Sequence, residues 1–251
     1  MTSDTTFTVE PTAAHTHTVI FLHGRVSNGE ECAAEFLECE ASEPEDQPRA
    51  LLDLFPTIKW VFPSAPIMDS HRYATELPQW FDMWSLEKPK MCPELQEPGL
   101  VDSIDTIVEI IAKEETFVPR EKIFLAGISQ GFATAIAAFL TMEGPTNFAA
   151  LIGLCSWMPE PIREVSAYDW PMPMPMPMPM PMPVTTVGPP IFLSHSADDD
   201  VVPIENGREL RDLLRLRHHE VEWIEYEDGG HWVNEPQGVD DLANFIRRNM
   251  V

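Results

Sequence analysis

Basic residues are scarce. Sixteen Lys plus Arg stand against 41 Asp plus Glu, a formal charge of -25 over 251 residues. A surface so acidic repels polyanions, which argues against nucleic acid or anionic lipid headgroups as partners and favours neutral or cationic substrates. Cysteine is also sparse: Cys32, Cys39, Cys92 and Cys155 form no CxxC pair and no dense framework, so free thiols in a reducing compartment are expected. Long apolar runs are missing as well. Met1 to Glu10 is polar and acidic, without the basic start and apolar core of a signal peptide, and no later stretch is apolar for long enough to span a bilayer. The expectation is a soluble, cytoplasmic protein with no stable membrane insertion.

What is present is enough hydrophobic sequence, 44%, for one substantial core, and a single domain over 1–251 is expected. Short apolar runs at Thr18–Leu22, Ile58–Phe62, Lys122–Ala126, Ala149–Leu154, Pro190–His195 and Glu220–Tyr226 read as strands. Helical spacing recurs near Glu30–Glu40, from Leu100 to Phe117, from Phe132 to Met142, from Ile204 to Arg217 and from Val239 to Asn249. Such alternation predicts an α/β fold, a mostly parallel sheet with helices on both faces and a ligand site at the carboxyl edge of the strands. Ser64 to Pro98 is rich in proline, aromatics and charge and is too long for a plain linker, so it reads as a rim loop. From Pro171 to Pro183 the chain alternates Pro and Met. Alternate residues there lack an N–H, which excludes a helix interior or a central strand and leaves a surface loop. An adaptable, thioether-rich flap beside an acyl site is the sharper alternative.

Gly127-Ile128-Ser129-Gln130-Gly131 fits G-x-S-x-G, the turn that lifts a serine hydroxyl out of a strand-to-helix junction. A serine hydroxyl needs a base and an acid that orients the base, in the chain order serine, acid, histidine. His231, after the last strand, is the candidate base. His23 and His195 also end strands but come at the wrong place in that order, and are expected to shape loops. Asp198, Asp199 and Asp200 are all candidates for the acid, and spacing does not choose among them. Three consecutive carboxylates cannot all face one ion, so no metal is expected. The backbone N–H groups of Gln130 and Arg25 are the candidate oxyanion donors.

The motifs Phe21-Leu22-His23-Gly24, Phe62-Pro63-Ser64-Ala65-Pro66, Trp80-Phe81-Asp82, Gly127 to Gly131, Asp199-Asp200-Val201-Val202-Pro203 and Gly230-His231 follow one another in the chain. Together they resemble the acyl-protein thioesterase and small carboxylesterase family of the α/β-hydrolase superfamily, from about Val19 to Ile246. The resemblance implies an α/β-hydrolase fold and cofactor-free hydrolysis of esters or thioesters through an acyl-enzyme, with S-acylated proteins among the substrates. It also implies that Asp199 is the acid and that Trp80 and Phe81 border the acyl site. Phe132 stands where the family usually has a second glycine, which predicts a narrower space beside Ser129. Arg25 stands where an apolar residue is usual, which predicts positive charge near the oxyanion. A small-molecule carboxylesterase is the alternative within the same chemistry, and a non-catalytic protein that keeps the fold as a ligand pocket is the alternative outside it. Nothing in the pattern fixes an oligomeric state.

Overall fold

In a computed structural model of the protein, the described residues are 6–142, 146–163 and 188–250. The expected Pro-Met loop at 171–183 lies outside them. Seven strands form the main sheet: β1 (Thr6–Val9), β2 (His17–Leu22), β3 (Ile58–Pro63), β6 (Ile123–Ile128), β7 (Ala150–Leu154), β8 (Ile191–Ser196) and β9 (Val221–Tyr226). In space their order is β1-β3-β2-β6-β7-β8-β9. All neighbours pair in parallel except β1, which lies antiparallel on β3. Two short strands within the rim loop, β4 (Ile67–Ser70) and β5 (Thr75–Pro78), pair as a separate antiparallel hairpin.

Every residue of β2, β3, β6, β7 and β8 is buried, which is why these strands read as predominantly apolar runs: parallel sheets are covered on both sides. Alternation along each strand then divides the core in two. Ile20, Leu22, Leu125, Leu151 and Leu193 face α3 (Gln96–Glu114), α4 (Gln130–Thr141) and α6 (Ile204–Leu216). Val19, Phe21, Phe124, Ile152 and Phe192 face α1 (Gly29–Glu38) and α7 (Gln237–Asn249). Gln130 to Leu140 of α4 is buried all round, and four alanines let that helix lie close to the sheet. α3 begins at Gln96, earlier than its apolar spacing suggests. Pro98 fits there because the first turn of a helix needs no intrahelical N–H donors. Short helices α2 (Leu51–Leu54) and α5 (Glu160–Arg163) complete the α-helices among the described residues, and Pro93–Leu95 and Arg120–Lys122 form single 3-10 turns.

From β2 the chain steps outward to β3 and then returns across β2 to β6. The carboxyl ends of β2 and β6 therefore flank the point where strand order reverses, the place where sheets of this kind open a crevice.

Candidate active site

Ser129 follows β6 at that crevice with φ 56° and ψ −127°. A non-glycine residue held at positive φ costs about 1–3 kcal/mol and needs enforcement by its surroundings. Enforcement comes from β7 and the chain after it: Ser129 N–H donates to Leu154 O at 2.8 Å, and Ser156 Oγ–H donates to Ser129 O at 2.7 Å. The flanking glycines are steric requirements. A Cβ on Gly127 would lie 2.7 Å from Phe132 N, and one on Gly131 would strike the carbonyl oxygens of Leu22 and His23. The Gln130 side chain locks the same turn to the rim loop, accepting from Trp80 N–H at 3.0 Å and donating to Phe81 O at 2.7 Å.

His231 and Ser129 line one cleft of about 180 Å³, together with Gly24, Arg25, Leu86, Val201 and Trp232. The Nδ1–H of His231 donates to Asp199 Oδ2 at 2.7 Å. Of the three candidate acids only Asp199 is buried. Its Oδ1 accepts from Val201 N–H at 2.9 Å and Val202 N–H at 2.8 Å, and His195 Nε2 lies 3.1 Å from Oδ2. Burial alone would raise the Asp199 carboxyl, but the hydrogen bonds from His195 and His231, and from the Val202 backbone, hold it well below the usual carboxylate range. Asp198 acts on the backbone instead, where its Oδ1 accepts from Gly230 N–H at 2.8 Å and anchors the His231 loop. Asp200 is exposed.

The loop after β2 lies against the serine, for a Cβ on Gly24 would sit 3.5 Å from Ser129 Cβ. His23 is fully buried at its root. Ala65 N–H donates to its Nε2 at 2.9 Å, so the ring proton sits on Nδ1, which donates to Gly24 O at 2.6 Å. Burial lowers its pKa to about 4, and the ring is neutral.

Three sequence expectations need correction. Trp80, Phe81 and Phe132, placed at the border of the acyl site, have no exposed surface and are absent from the lining of the cleft. The Trp80 indole N–H donates to His23 O at 2.8 Å, so this aromatic braces the loop after β2 from behind. Phe132 does not narrow the space beside Ser129, because its ring lies over Gly153 of β7, where any Cβ would strike it. The Arg25 guanidinium, expected to bring charge to the oxyanion, is buried and hydrogen-bonded to Gln79 and Ser70.

Ser156 carries no sequence signal as a site residue, His195 is expected only to shape a loop, and Asp198, a candidate for the acid, holds the His231 loop instead. Ser156 reaches Ser129 across 27 residues of chain and Asp198 reaches Gly230 across 32, whereas His195 meets Asp199 within one turn of chain. Among the described residues, Cys155, His195 and Asp199 offer ligand atoms within 4.8 Å of one another. Burial pushes the Cys155 thiol up, which keeps it protonated, and its Sγ lies 3.5 Å from Trp232 O. That chemistry suits packing behind the carboxylate better than metal ligation, for which thiolate is needed.

A family model described as phospholipase/carboxylesterase matches residues 3–250. The chain belongs to that family. Acyl-protein thioesterase 1 of Yarrowia lipolytica is 27% identical over 95% of this chain and 94% of its own. A probable carboxylesterase of Oryza sativa is 28% identical over 92% of this chain and 77% of its own. The crystal structure of Zea mays acyl-protein thioesterase 2 superposes with a TM-score of 0.70 at 22% identity, covering 99% of this chain and all of that one, and shows the shared α/β-hydrolase fold. No helix among the described residues is long and apolar enough to cross a membrane.

Proposed function

We propose that the protein hydrolyses thioesters and carboxylic esters of apolar acyl chains, with S-acylated proteins as its substrate class, through an acyl-enzyme on Ser129. The observation that carries this reading is the Asp199–His231 hydrogen bond at the edge of the cleft that also holds the strained Ser129 turn. His231 Nε2 takes the Ser129 hydroxyl proton as Oγ bonds to the acyl carbonyl carbon. The carbonyl oxygen becomes an oxyanion and accepts from the backbone N–H groups of Gln130 and Arg25. Collapse breaks the C–S or C–O bond, and the departing thiolate or alkoxide receives the proton from His231. Water, deprotonated by His231, then attacks the acyl carbonyl, and Ser129 leaves with its proton restored. Asp199 stays ionised throughout, holding the ring orientation and stabilising the imidazolium. Neither a metal nor an organic cofactor has a part in these steps.

Leu86, Val201, Trp232 and Ile128 give the cleft apolar walls suited to an acyl chain. The relatives named acyl-protein thioesterases support the protein substrate. Trp80, Phe81 and Phe132 contribute by supporting those walls and the Ser129 turn from the core. Free buried thiols at Cys32, Cys39 and Cys155 fit a cytoplasmic location. The rice relative keeps a second reading open, a carboxylesterase of small molecules. The test is a panel of short and long nitrophenyl esters beside an S-acylated peptide, run on wild type and Ser129→Ala. Strong peptide deacylation that vanishes in the variant supports the proposal. Short-ester turnover with negligible thioesterase activity favours the second reading.

A further inference from the structure

The mechanism above uses only the main chain of Arg25. Its side chain is 4% exposed and is engaged through Nε and Nη2. Nε–H donates to Gln79 Oε1 at 2.8 Å, Nη2–H donates to Ser70 Oγ at 3.0 Å, and Nη2 lies 3.8 Å from Asp82 Oδ1. The ring of Tyr73 lies 5.4 Å from the guanidinium carbon. All of these partners belong to the β4–β5 hairpin or the turn that follows it. They are themselves fastened: Gln79 Nε2–H donates to Asp69 O at 3.2 Å, and Asp82 accepts from the backbone N–H groups of Met83 at 2.9 Å and His71 at 3.1 Å.

The next residue adds an independent observation. Val26 has φ 66° and is 64% exposed. A β-branched residue in the left-handed region is a genuine outlier that persists only where its surroundings impose it. Its own packing imposes nothing, because the side chain is open to solvent. Its N–H donates to Pro78 O at 2.9 Å, which again is the hairpin. The strained stretch beside Ser129 is therefore held by β4–β5 from two consecutive residues. A buried guanidinium paired in this way is placed to hold the loop rather than to meet substrate.

We propose that the Arg25 side chain is the positioning residue of the oxyanion loop, fixing the aim of its own backbone N–H toward Ser129 by anchoring the loop to the β4–β5 hairpin. This rests on the hydrolase reading given above. Donors preorganised for an oxyanion act only in the transition state, so loosening them lowers kcat and leaves ground-state binding in place.

The test compares wild type with Arg25→Met, Arg25→Lys and Ser70→Ala, each titrated for active sites. It measures kcat and KM on a nitrophenyl ester, and inhibition by a trifluoromethyl ketone that binds serine as a tetrahedral oxyanion. An unreactive amide of the same shape serves as the control. For Arg25→Met, kcat is expected to fall roughly 10–100-fold, less than the loss of an entire oxyanion donor, with KM nearly constant. Ketone affinity should fall in step with kcat/KM while amide affinity holds. Arg25→Lys should recover part of the loss, and Ser70→Ala should show a smaller version of it. Unchanged kcat and ketone affinity in folded Arg25→Met would overturn the inference. If that variant does not fold, Ser70→Ala with wild-type ketone affinity and kcat does the same. Full activity in Ser129→Ala would instead remove the hydrolase reading itself, a result distinguishable from either.

Discussion

At the scale of single residues, the three neighbouring aspartates show how position within a turn decides chemistry. Asp199 alone is buried with its carboxylate on His231, whereas Asp198 holds a backbone N–H and Asp200 faces solvent. Asp199→Asn should therefore lower kcat by roughly 10³–10⁴-fold on a nitrophenyl ester, while Asp200→Asn stays near wild type. His23 makes a different prediction, about stability. Its folded pKa is lowered from 6.5 to about 4 because the ring is buried neutral. The unfolded chain thus binds more protons between those values, and stability is full above pH 6.5 and is lost as pH falls toward 4. The full loss is about 3 kcal/mol, from roughly 1.4 kcal/mol per pH unit. Asp199, whose folded pKa is depressed, adds its own loss only as pH falls below its ordinary value of 3.8. Urea unfolding at pH 7, 6, 5 and 4 should show the decline, and His23→Asn should flatten it.

At the scale of elements, the strands legible in the sequence are the fully buried β2, β3, β6, β7 and β8, where two-sided burial keeps the run mostly apolar, and the half-buried β9, rich in β-branched and aromatic residues. β1 and the β4–β5 hairpin carry mostly half-buried or exposed residues and are held by backbone pairing, which leaves no periodic trace. The same limit explains the aromatic residues of the rim loop. Trp80 and Phe81 announce an apolar contact without announcing its direction, and that direction proved to be inward. The expectations of Ser129 and His231 came from local motifs, and that of Asp199 from the family resemblance. Ser156 and Arg25's partners came from contacts across 27 to 54 residues of chain, which no local pattern records.

Two elements supply predictions of their own. Lys59 of β3 and Glu114 of α3 form a buried ion pair, Nζ lying 2.9 and 2.8 Å from the two carboxylate oxygens. Glu114→Gln leaves a buried ammonium without its counter-charge and should cost about 3–5 kcal/mol in urea unfolding. The double variant Lys59→Met with Glu114→Leu should recover most of that. On β7, Gly153→Ala should destabilise through its clash with the Phe132 ring. Adding Phe132→Leu should relieve part of the penalty, so the two substitutions combine at less than the sum of their separate costs.

At the scale of the whole molecule, a formal charge of -25 lies around a cleft whose lining includes Glu35. Such a field draws cationic substrates in and weakens as salt shortens its reach. With the acyl group held constant, kcat/KM for a lysine-rich S-acylated peptide should exceed that for a neutral one at low ionic strength and converge on it at high ionic strength. An advantage insensitive to salt would assign the preference to close contacts instead.

The proposed chemistry turns on Ser129 as the residue that would carry the acyl group. The most direct measurement is to mix the enzyme with a slowly deacylated nitrophenyl ester, quench in acid within the first turnover and map the protein by mass spectrometry. One acyl adduct is expected, on the peptide containing Ser129, lost in Ser129→Ala together with turnover. An adduct on another residue, or turnover that persists in Ser129→Ala, would contradict the assignment.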